Sequence, residues 1–241
     1  MTLRRLSPQR MRHADIADLS TAGWRYVVGC PDLANASAGG EVLVASQIAA
    51  VLCRIDAVGP QDLGHLHVDD RSFAATEINA FLRAWLAQFR GRRCNEPSPA
   101  SLAGPAWHPM YWRWLATRLE VPAVAASLAT PDAIFADVDT HPVNARDAAR
   151  KGEKVTALVV GDQVIGSADE ALVRHSLRIA RAVGSSLLAL HFVWDRQWRF
   201  ESADSSPQLD AHGAAKLLEW AMATHAGRSQ DLRVAASAAA R

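Results

Sequence analysis

The stretch from residue 93 to 116, RCNEPSPASLAGPAWHPMYWRWLA, constrains the fold more than any other because it holds four prolines and three tryptophans. Proline has no backbone N–H and a fixed φ, so it disrupts central strands and helices beyond their first turn. Pro97 and Pro99 therefore predict extended chain, and Pro109 fits the first turn of a helix. Regular elements must lie on either side, which leaves Trp107 on a loop between prolines.

A long helix is predicted before this stretch. Asp69 or Asp70 is the expected N-cap, and the basic sequence Arg90-Gly91-Arg92 is the expected end. Further upstream, residues 24–29 and 41–55 are rich in Val, Ile and aromatic residues and predict short strands, while the two glycines at 39–40 predict a turn. The apolar residues that recur at helical spacing are Ala74, Ile78, Phe81, Leu82, Trp85, Leu86 and Phe89.

Residues 155–166, VTALVVGDQVIG, predict a hairpin because two β-branched runs flank Gly161-Asp162. The following SADE sequence is typical of a capping box, with Ser167 as N-cap and Glu170 three residues later. The helix that it begins is expected to end at Gly184.

A second hairpin is predicted over 186–202, turning around Asp195 to Gln197, and Asp210 is expected to cap a last helix. Residues 130–154 are polar and irregular, which is typical of a long loop or linker. Trp85, Trp112 and Trp114 stand at helical spacing, which favours positions in the core.

Composition excludes several classes of protein. The chain has 241 residues, is 49% hydrophobic and carries a net charge of +1, so it has no basic field for nucleic acid. No apolar run has the length of a membrane span or a signal peptide. The three cysteines are far apart in sequence, which indicates free thiols in a reducing cytoplasm.

The order of the elements resembles ATP-grasp ligases of the ribosomal-protein glutamate ligase and graspetide-synthetase type. The N-terminal helix with Glu77, the N-x-P sequence at Asn95 and Pro97, and Pro122 match the passage between the first two parts of such enzymes. Residues 155–209 match their C-terminal hairpin, helix and strand pair. Short, eroded members among uncharacterised bacterial proteins are similar too.

The resemblance implies an α/β fold of two small lobes. Residues 1–124 would form a pre-ATP-grasp-like α/β domain, 125–154 a linker or long loop, 155–227 a truncated ATP-grasp-like C-terminal domain, and 228–241 a frayed tail. The lid that holds adenine and supplies a phosphate lysine would be missing, since only about 30 residues separate Val124 from Val155.

The metal ligands also depart from the family pattern. His191 stands where the family has an aspartate, and Ser202 and Asp204 stand where it has Glu-x-Asn. Because Mg²⁺ takes oxygen ligands, this set is reduced. The resemblance therefore implies a non-catalytic subunit of a bacterial peptide- or protein-modification or biosynthetic system, with no cofactor or metal and with a protein or peptide partner.

The residues assigned to partner binding under this hypothesis are Trp107, Arg113, Arg92 and Arg93, because an indole beside guanidinium groups is typical of interfaces. For Trp107, packing between lobes is the preferred alternative, because prolines hold its loop rigid. The sequence leaves the oligomeric state open.

Two other functions remain open. One is an active ATP-dependent carboxylate–amine ligase with a rearranged site, which would use ATP and Mg²⁺ through Lys151, Lys154, Glu201 and Asp204. The other is an unrelated metal-dependent α/β enzyme built on His65, His67 and Asp69 in HLHVDD. The plainer interpretation of HLHVDD is a polar loop before a helix.

Overall fold

The structure is a computed structural model that describes residues 23–48, 50–89, 92–125 and 151–221. Most of the predicted linker, the predicted tail and the expected helix stop at Arg90-Gly91 lie outside these ranges. Within them, no helix combines the length and hydropathy that crossing a membrane requires.

The described residues pack as two units. The first belongs to Met1–Val51 and Ala57–Arg92, and the second to Leu52–Asp56 and Arg93–Arg241. The proline- and tryptophan-rich stretch therefore packs within the second unit. The predicted domain boundary at residue 124 stays a prediction, since a packing unit and an evolutionary domain are different divisions of a chain.

The first unit contains a β-hairpin and a long helix. Strands β1 (Asn35–Ala38) and β2 (Glu41–Val44) pair antiparallel. Gly39 and Gly40 form the predicted turn with φ of 57° and 79°, a conformation that glycine adopts without a Cβ clash. Two short strands, β3 (Ala50–Val51) and β4 (Arg92–Arg93), come later in the chain.

The strand predicted at residues 24–29 is wrong. Only Arg25 forms a bridge, with Asn35, and the chain turns at Val28 and Gly29. Val28 is exposed and the φ of Gly29 is +75°, so the β-branched residues there have no partner strand to extend the ladder.

Helix α1 spans Arg71–Gln88 and buries the predicted apolar face. Trp85 is buried, stacks on Phe89 and donates its indole N–H to the Asn35 carbonyl at 3.0 Å. Asp70 is the N-cap residue as predicted, but its carboxylate makes no capping hydrogen bond.

The second unit is built on a four-stranded antiparallel sheet in the order β6-β5-β7-β8. The strands are β5 (Lys154–Val160), β6 (Gln163–Ile165), β7 (Leu187–Asp195) and β8 (Gln197–Asp204). Both predicted hairpins are confirmed. Positive φ at Gly161 and Arg196 forms their turns.

One face of this sheet carries the larger core. Helices α2 (Pro109–Arg118) and α3 (Glu170–Val183) pack there. Side chains alternate between the two faces of a strand, so one set of positions meets the helices. The fully enclosed members of this core include Trp112, Ala157, Val159, Leu172, Ile179, Leu188, Leu190, Phe192 and Phe200.

The opposite face of the sheet is covered at one end by helical residues 211–221, named α4 here. Asp210 caps α4 as predicted, since its Oδ1 accepts from the Gly213 N–H at 2.7 Å. Leu217 of α4 joins Val160, Leu187 and Cys94 in a second, smaller core. The end of this face that carries Lys154 and Thr156 is polar and exposed.

The start of α3 differs from the predicted capping box. Asp169, not Ser167, is the N-cap, and its Oδ1 accepts from the N–H groups of Ala171 and Leu172 at 2.8 and 3.2 Å. Ser167 instead accepts from the Asp169 N–H. An aspartate so placed caps two orphan donors and adds negative charge at the positive end of the helix dipole. The end at Gly184, with φ of 68°, is as predicted.

Asp169→Ala is expected to lower the free energy of unfolding by about 1–2 kcal/mol, because it removes this cap. It also removes the acceptor of the Trp198 indole N–H, which lies 3.1 Å from Asp169 Oδ2. Urea denaturation of the variant measures the loss. Ser167→Ala serves as the comparison and is expected to cost less than half as much. Equal losses in the two variants would favour the capping box predicted from the sequence.

Candidate functional site

A cluster of polar side chains lies on the sheet face opposite the larger core. Strand pairing places Lys154 and Thr156 of β5, His191 of β7 and Ser202 of β8 on this face, because Thr156 pairs with His191 and His191 with Ser202. Glu201 lies on the same face by alternation from Arg199, and the register shift between His191 and Phe192 places the adjacent Ser202 there as well. These five residues are named the polar face below.

The polar face is held together by two pairs. Lys154 Nζ donates to both carboxylate oxygens of Glu201 at 3.0 Å, and Thr156 Oγ1 lies 2.9 Å from His191 Nδ1. The Lys154 side chain is 67% exposed and that of Glu201 is 29% exposed. The Arg113 guanidinium fixes the backbone here by donating its Nε–H to the Glu201 carbonyl at 3.0 Å.

The structure brings together only part of the nucleotide and metal set considered from the sequence. Lys154 and Glu201 are in contact, as described. Asp204 instead accepts from the Ser206 N–H through Oδ1 at 2.8 Å, which closes a local turn at the end of β8. Lys151 is exposed in the turn before β5.

These side chains do not fit a Mg²⁺ site. Glu201 is neutralised by an ammonium group, and His191 offers a ring nitrogen bonded to Thr156 where a hard cation needs oxygen. Throughout the described ranges, no three His, Cys, Asp or Glu side chains lie close enough together to hold a metal ion. The residues on the polar face therefore do not provide the carboxylate clamp that a nucleotide-bound Mg²⁺ requires.

The metal site considered at HLHVDD is also not formed. His67 and Asp69 are both highly exposed, with His67 Nδ1 3.5 Å from Asp69 Oδ2, and His65 joins no three-ligand group with them. The segment is a polar connection that leads into α1, as the plainer interpretation holds.

The structure shows contacts for three of the four residues assigned to partner binding, and the assignment itself stays a prediction. Trp107 is half-buried against the larger core, with its ring 4.8 Å from that of Trp112. Arg113 is engaged with the Glu201 carbonyl, and Arg93 pairs with Glu96. The side chain of Arg92 lies outside the described part of the structure.

A different aromatic surface lies on α2. The rings of Trp107 and Tyr111 are 4.7 Å apart, and those of Tyr111 and Trp114 are 5.2 Å apart. The Arg118 guanidinium lies 5.8 Å from the centre of the Trp114 ring. Tyr111 is 46% exposed and Trp114 is 53% exposed, so the predicted core position of Trp114 is wrong. These four residues are named the aromatic ridge.

The signal for the ridge is present in the sequence. Trp107, Tyr111, Trp114 and Arg118 are spaced by four, three and four residues, which places them along one side of a helix and its N-terminal extension. Trp112 and Ala116 lie on another side and are buried. Because three tryptophans and a tyrosine surround this short helix, the sequence does not show which side of the helix faces the core.

Comparisons with known proteins identify the fold. No family model and no curated protein matches the sequence. Macrocyclase MdnC bound with precursor peptide MdnA, from Microcystis aeruginosa MRC, superposes with a TM-score of 0.52 at 13% identity, over 73% of this chain and 75% of that one. Macrocyclase MdnB from the same organism gives 0.50 at 14% identity, over 77% and 75%.

ATP-grasp ligase PsnB complexed with minimal precursor gives a TM-score of 0.53 at 16% identity, over 73% of this chain and 78% of that one. At such identities the likeness shows the fold alone. The chain has an ATP-grasp-like α/β fold, which confirms the predicted fold class and the predicted resemblance. The absence of the lid stays a prediction, since residues 126–150 lie outside the described ranges.

Proposed function

We propose that the chain is a non-catalytic ATP-grasp-like subunit that binds a peptide or protein partner in a bacterial peptide-modification or biosynthetic system. The observation that carries the proposal is the pairing of Glu201 with Lys154 on the polar face. This pairing neutralises the one carboxylate in the cluster.

Electrostatics explains why this pairing opposes catalysis. Phosphoryl transfer depends almost wholly on positioning and on the neutralisation of phosphate charge by metal ions. An ammonium group 3.0 Å from the carboxylate repels a divalent cation that approaches the same oxygens. His191 adds no hard ligand beside it. A chain with this arrangement keeps the fold but has lost most of the means to orient a nucleotide.

The peptide context is supported by proteins of similar fold. MdnC is described as bound with a precursor peptide, and PsnB as complexed with a minimal precursor. Binding requires fewer groups in fixed geometry than catalysis does. A chain that keeps this fold and loses its metal ligands is therefore expected to retain its binding surfaces after its catalytic activity is lost.

The alternative is an active ligase with a rearranged site. Its supporting observation is the exposure of Lys154, which is 67% for the side chain. If a phosphate bound the Lys154 ammonium group in place of Glu201, the Glu201 carboxylate would become available to Mg²⁺. Lys151 lies just before the start of β5, and Asp204 lies at the end of β8. The two functions differ in their response to nucleotide.

Under the proposed function, 1 mM Mg-ATP is expected to raise the melting temperature by no more than about one degree. A dissociation constant above the millimolar range contributes less than about 0.4 kcal/mol at that concentration, because stabilisation follows RT ln(1 + [L]/Kd). Differential scanning calorimetry with Mg-ATP, and with Mg²⁺ alone as reference, makes the measurement.

The matched variants are Lys154→Met and Glu201→Gln, which remove the two halves of the pair. Neither is expected to change the response to Mg-ATP. A saturable rise of several degrees in the parent, lost in both variants, would establish nucleotide binding at the polar face and support the active ligase instead.

A further inference from the structure

We propose that the aromatic ridge on α2 binds an acidic segment of a partner protein. This inference rests on the proposed function, for which it names a binding surface and the chemistry of the partner. The ridge projects from α2, which packs on the sheet face opposite the polar face. It is therefore separate from the residues that the resemblance associates with nucleotide.

The ridge is held rigidly before any partner binds. The half-buried Trp107 ring contacts both Trp112 in the core and Tyr111 at the surface. Pro109 begins the helix directly after His108, whose Nδ1 accepts from the Met110 N–H at 3.3 Å. Aromatic side chains with few rotatable bonds lose little entropy when a partner covers them. A fixed ridge of this kind favours tight binding for its area.

The dimensions of the ridge fit an extended peptide. Tyr111 and Arg118 are seven residues apart on α2, or about 10 Å along the helix axis. An extended segment of about three or four residues covers that length. Trp114 lies between them, so apolar side chains would contact the rings while a carboxylate reaches Arg118.

The charge around the ridge selects an acidic partner. No acidic residue occurs between Pro109 and Leu119. Arg118 forms no ion pair with a carboxylate of the described residues, and the Arg178 guanidinium lies at the end of the helix, where it donates to the Leu119 carbonyl at 2.7 Å. Glu120 follows directly after Leu119, and its carboxylate lies 3.6 Å from the Arg178 guanidinium, with a side chain that is 88% exposed.

The neighbouring helix adds positive charge. Arg174 and Arg178 lie on exposed positions one turn apart on α3. Between them, burial lowers the pKa of His175, and the charges of Arg174 and Arg178 lower it further, against an opposing effect of Asp169. Complementary charge steers an acidic segment toward this surface and raises its association rate.

A phage-displayed library of random peptides of about twelve residues, selected on the full chain, tests the proposal. We expect the selected peptides to be enriched in Asp and Glu and to contain an apolar or aromatic residue. The affinity of the selected peptides is expected to fall at least about tenfold for Trp114→Ala and for Arg118→Gln. Both variants are expected to melt like the parent, because both side chains are exposed.

Phe73→Ala is the matched control, since Phe73 is an exposed aromatic residue on α1 and is 72% exposed. It is expected to leave peptide affinity unchanged. Three outcomes would overturn the proposal: no peptide enriched, enriched peptides without an acidic excess, or equal affinity in the Trp114→Ala and Phe73→Ala variants.

Binding of a labelled single-stranded oligothymidine is the last measurement, because a surface of arginine and aromatic rings also suits unpaired bases. Oligothymidine binding that is tighter than peptide binding and is lost in Trp114→Ala would also overturn the proposal. The Mg-ATP measurement stands apart from these arms. A failure of the proposed function appears there, and a failure of the ridge assignment appears only in the peptide affinities.

Discussion

Asn95→Ala is expected to lower the free energy of unfolding of the second unit by about 3 kcal/mol or more. Asn95 is 8% exposed, and its Nδ2 lies 3.0, 2.9 and 3.0 Å from the carbonyl oxygens of Ala103, Leu187 and Ser205. Its Oδ1 accepts from the Leu187 N–H at 3.1 Å. One amide thus connects the proline-rich stretch to the start of β7 and to the chain after β8.

The expected loss follows from the groups that would remain. Removing the amide leaves the Leu187 N–H and several buried carbonyls without a partner, and each unsatisfied buried group costs about 1–3 kcal/mol. Gly104 packs so closely that a Cβ there would lie 2.9 Å from Asn95 Cβ, so the backbone of the proline-rich stretch is in close contact with this side chain. Urea denaturation followed by far-UV circular dichroism measures the change.

Two variants make the result specific. Asn95→Asp keeps the size but places carboxylate oxygens against three carbonyls, so it is expected to be at least as unstable as Asn95→Ala. Glu96→Gln changes the adjacent residue, whose side chain is 65% exposed, and is expected to cost less than about 0.5 kcal/mol. A loss in Asn95→Ala no larger than in Glu96→Gln would show that the amide does not join these segments.

Local patterns predicted the elements that depend on local chemistry. The hairpins around Gly161 and Arg196, the cap at Asp210 and the helix end at Gly184 all use residues whose backbone preferences act within a few positions. The strand predicted at 24–29 failed because a strand requires a partner, and the sequence does not show where a partner lies.

The orientation of α2 shows why burial is harder to predict than helix formation. The sequence placed both Trp112 and Trp114 in the core, whereas the structure buries Trp112 with Ala116 and leaves Trp114 53% exposed. Large aromatic residues surround this helix, so several orientations would bury similar apolar area. Contacts with residues far along the chain, such as Phe192 and Phe200 in the same core, select one of them.

Part of the polar face was beyond sequence analysis for a related reason. Side chains alternate along a strand, so the order of residues places Glu201 on the same face as Arg199 and predicts the other face for Ser202. The register shift between His191 and Phe192 breaks that alternation, so Ser202 lies beside Glu201 on the polar face. Bulges of this kind depend on both strands together, so one strand's pattern does not reveal them.

Trp112→Ala is expected to lower the free energy of unfolding of the second unit by about 3–5 kcal/mol, which is close to the whole stability of a marginal unit. Trp112 is 2% exposed and belongs to the larger core, so its removal leaves a cavity between α2 and the sheet. It also supports the Trp107 ring, whose centre lies 4.8 Å away. Calorimetry of the variant measures the loss directly.

Trp114→Ala is the matched control, because it makes the same chemical change two residues along the same helix at a side chain that is 53% exposed. We expect its stability to stay within about 0.5 kcal/mol of the parent. Trp112→Phe, which keeps an aromatic ring, is expected to recover part of the loss. If Trp112→Ala and Trp114→Ala proved equally stable, α2 would not bury Trp112 against the sheet, and Trp107 would lose the support that fixes the aromatic ridge.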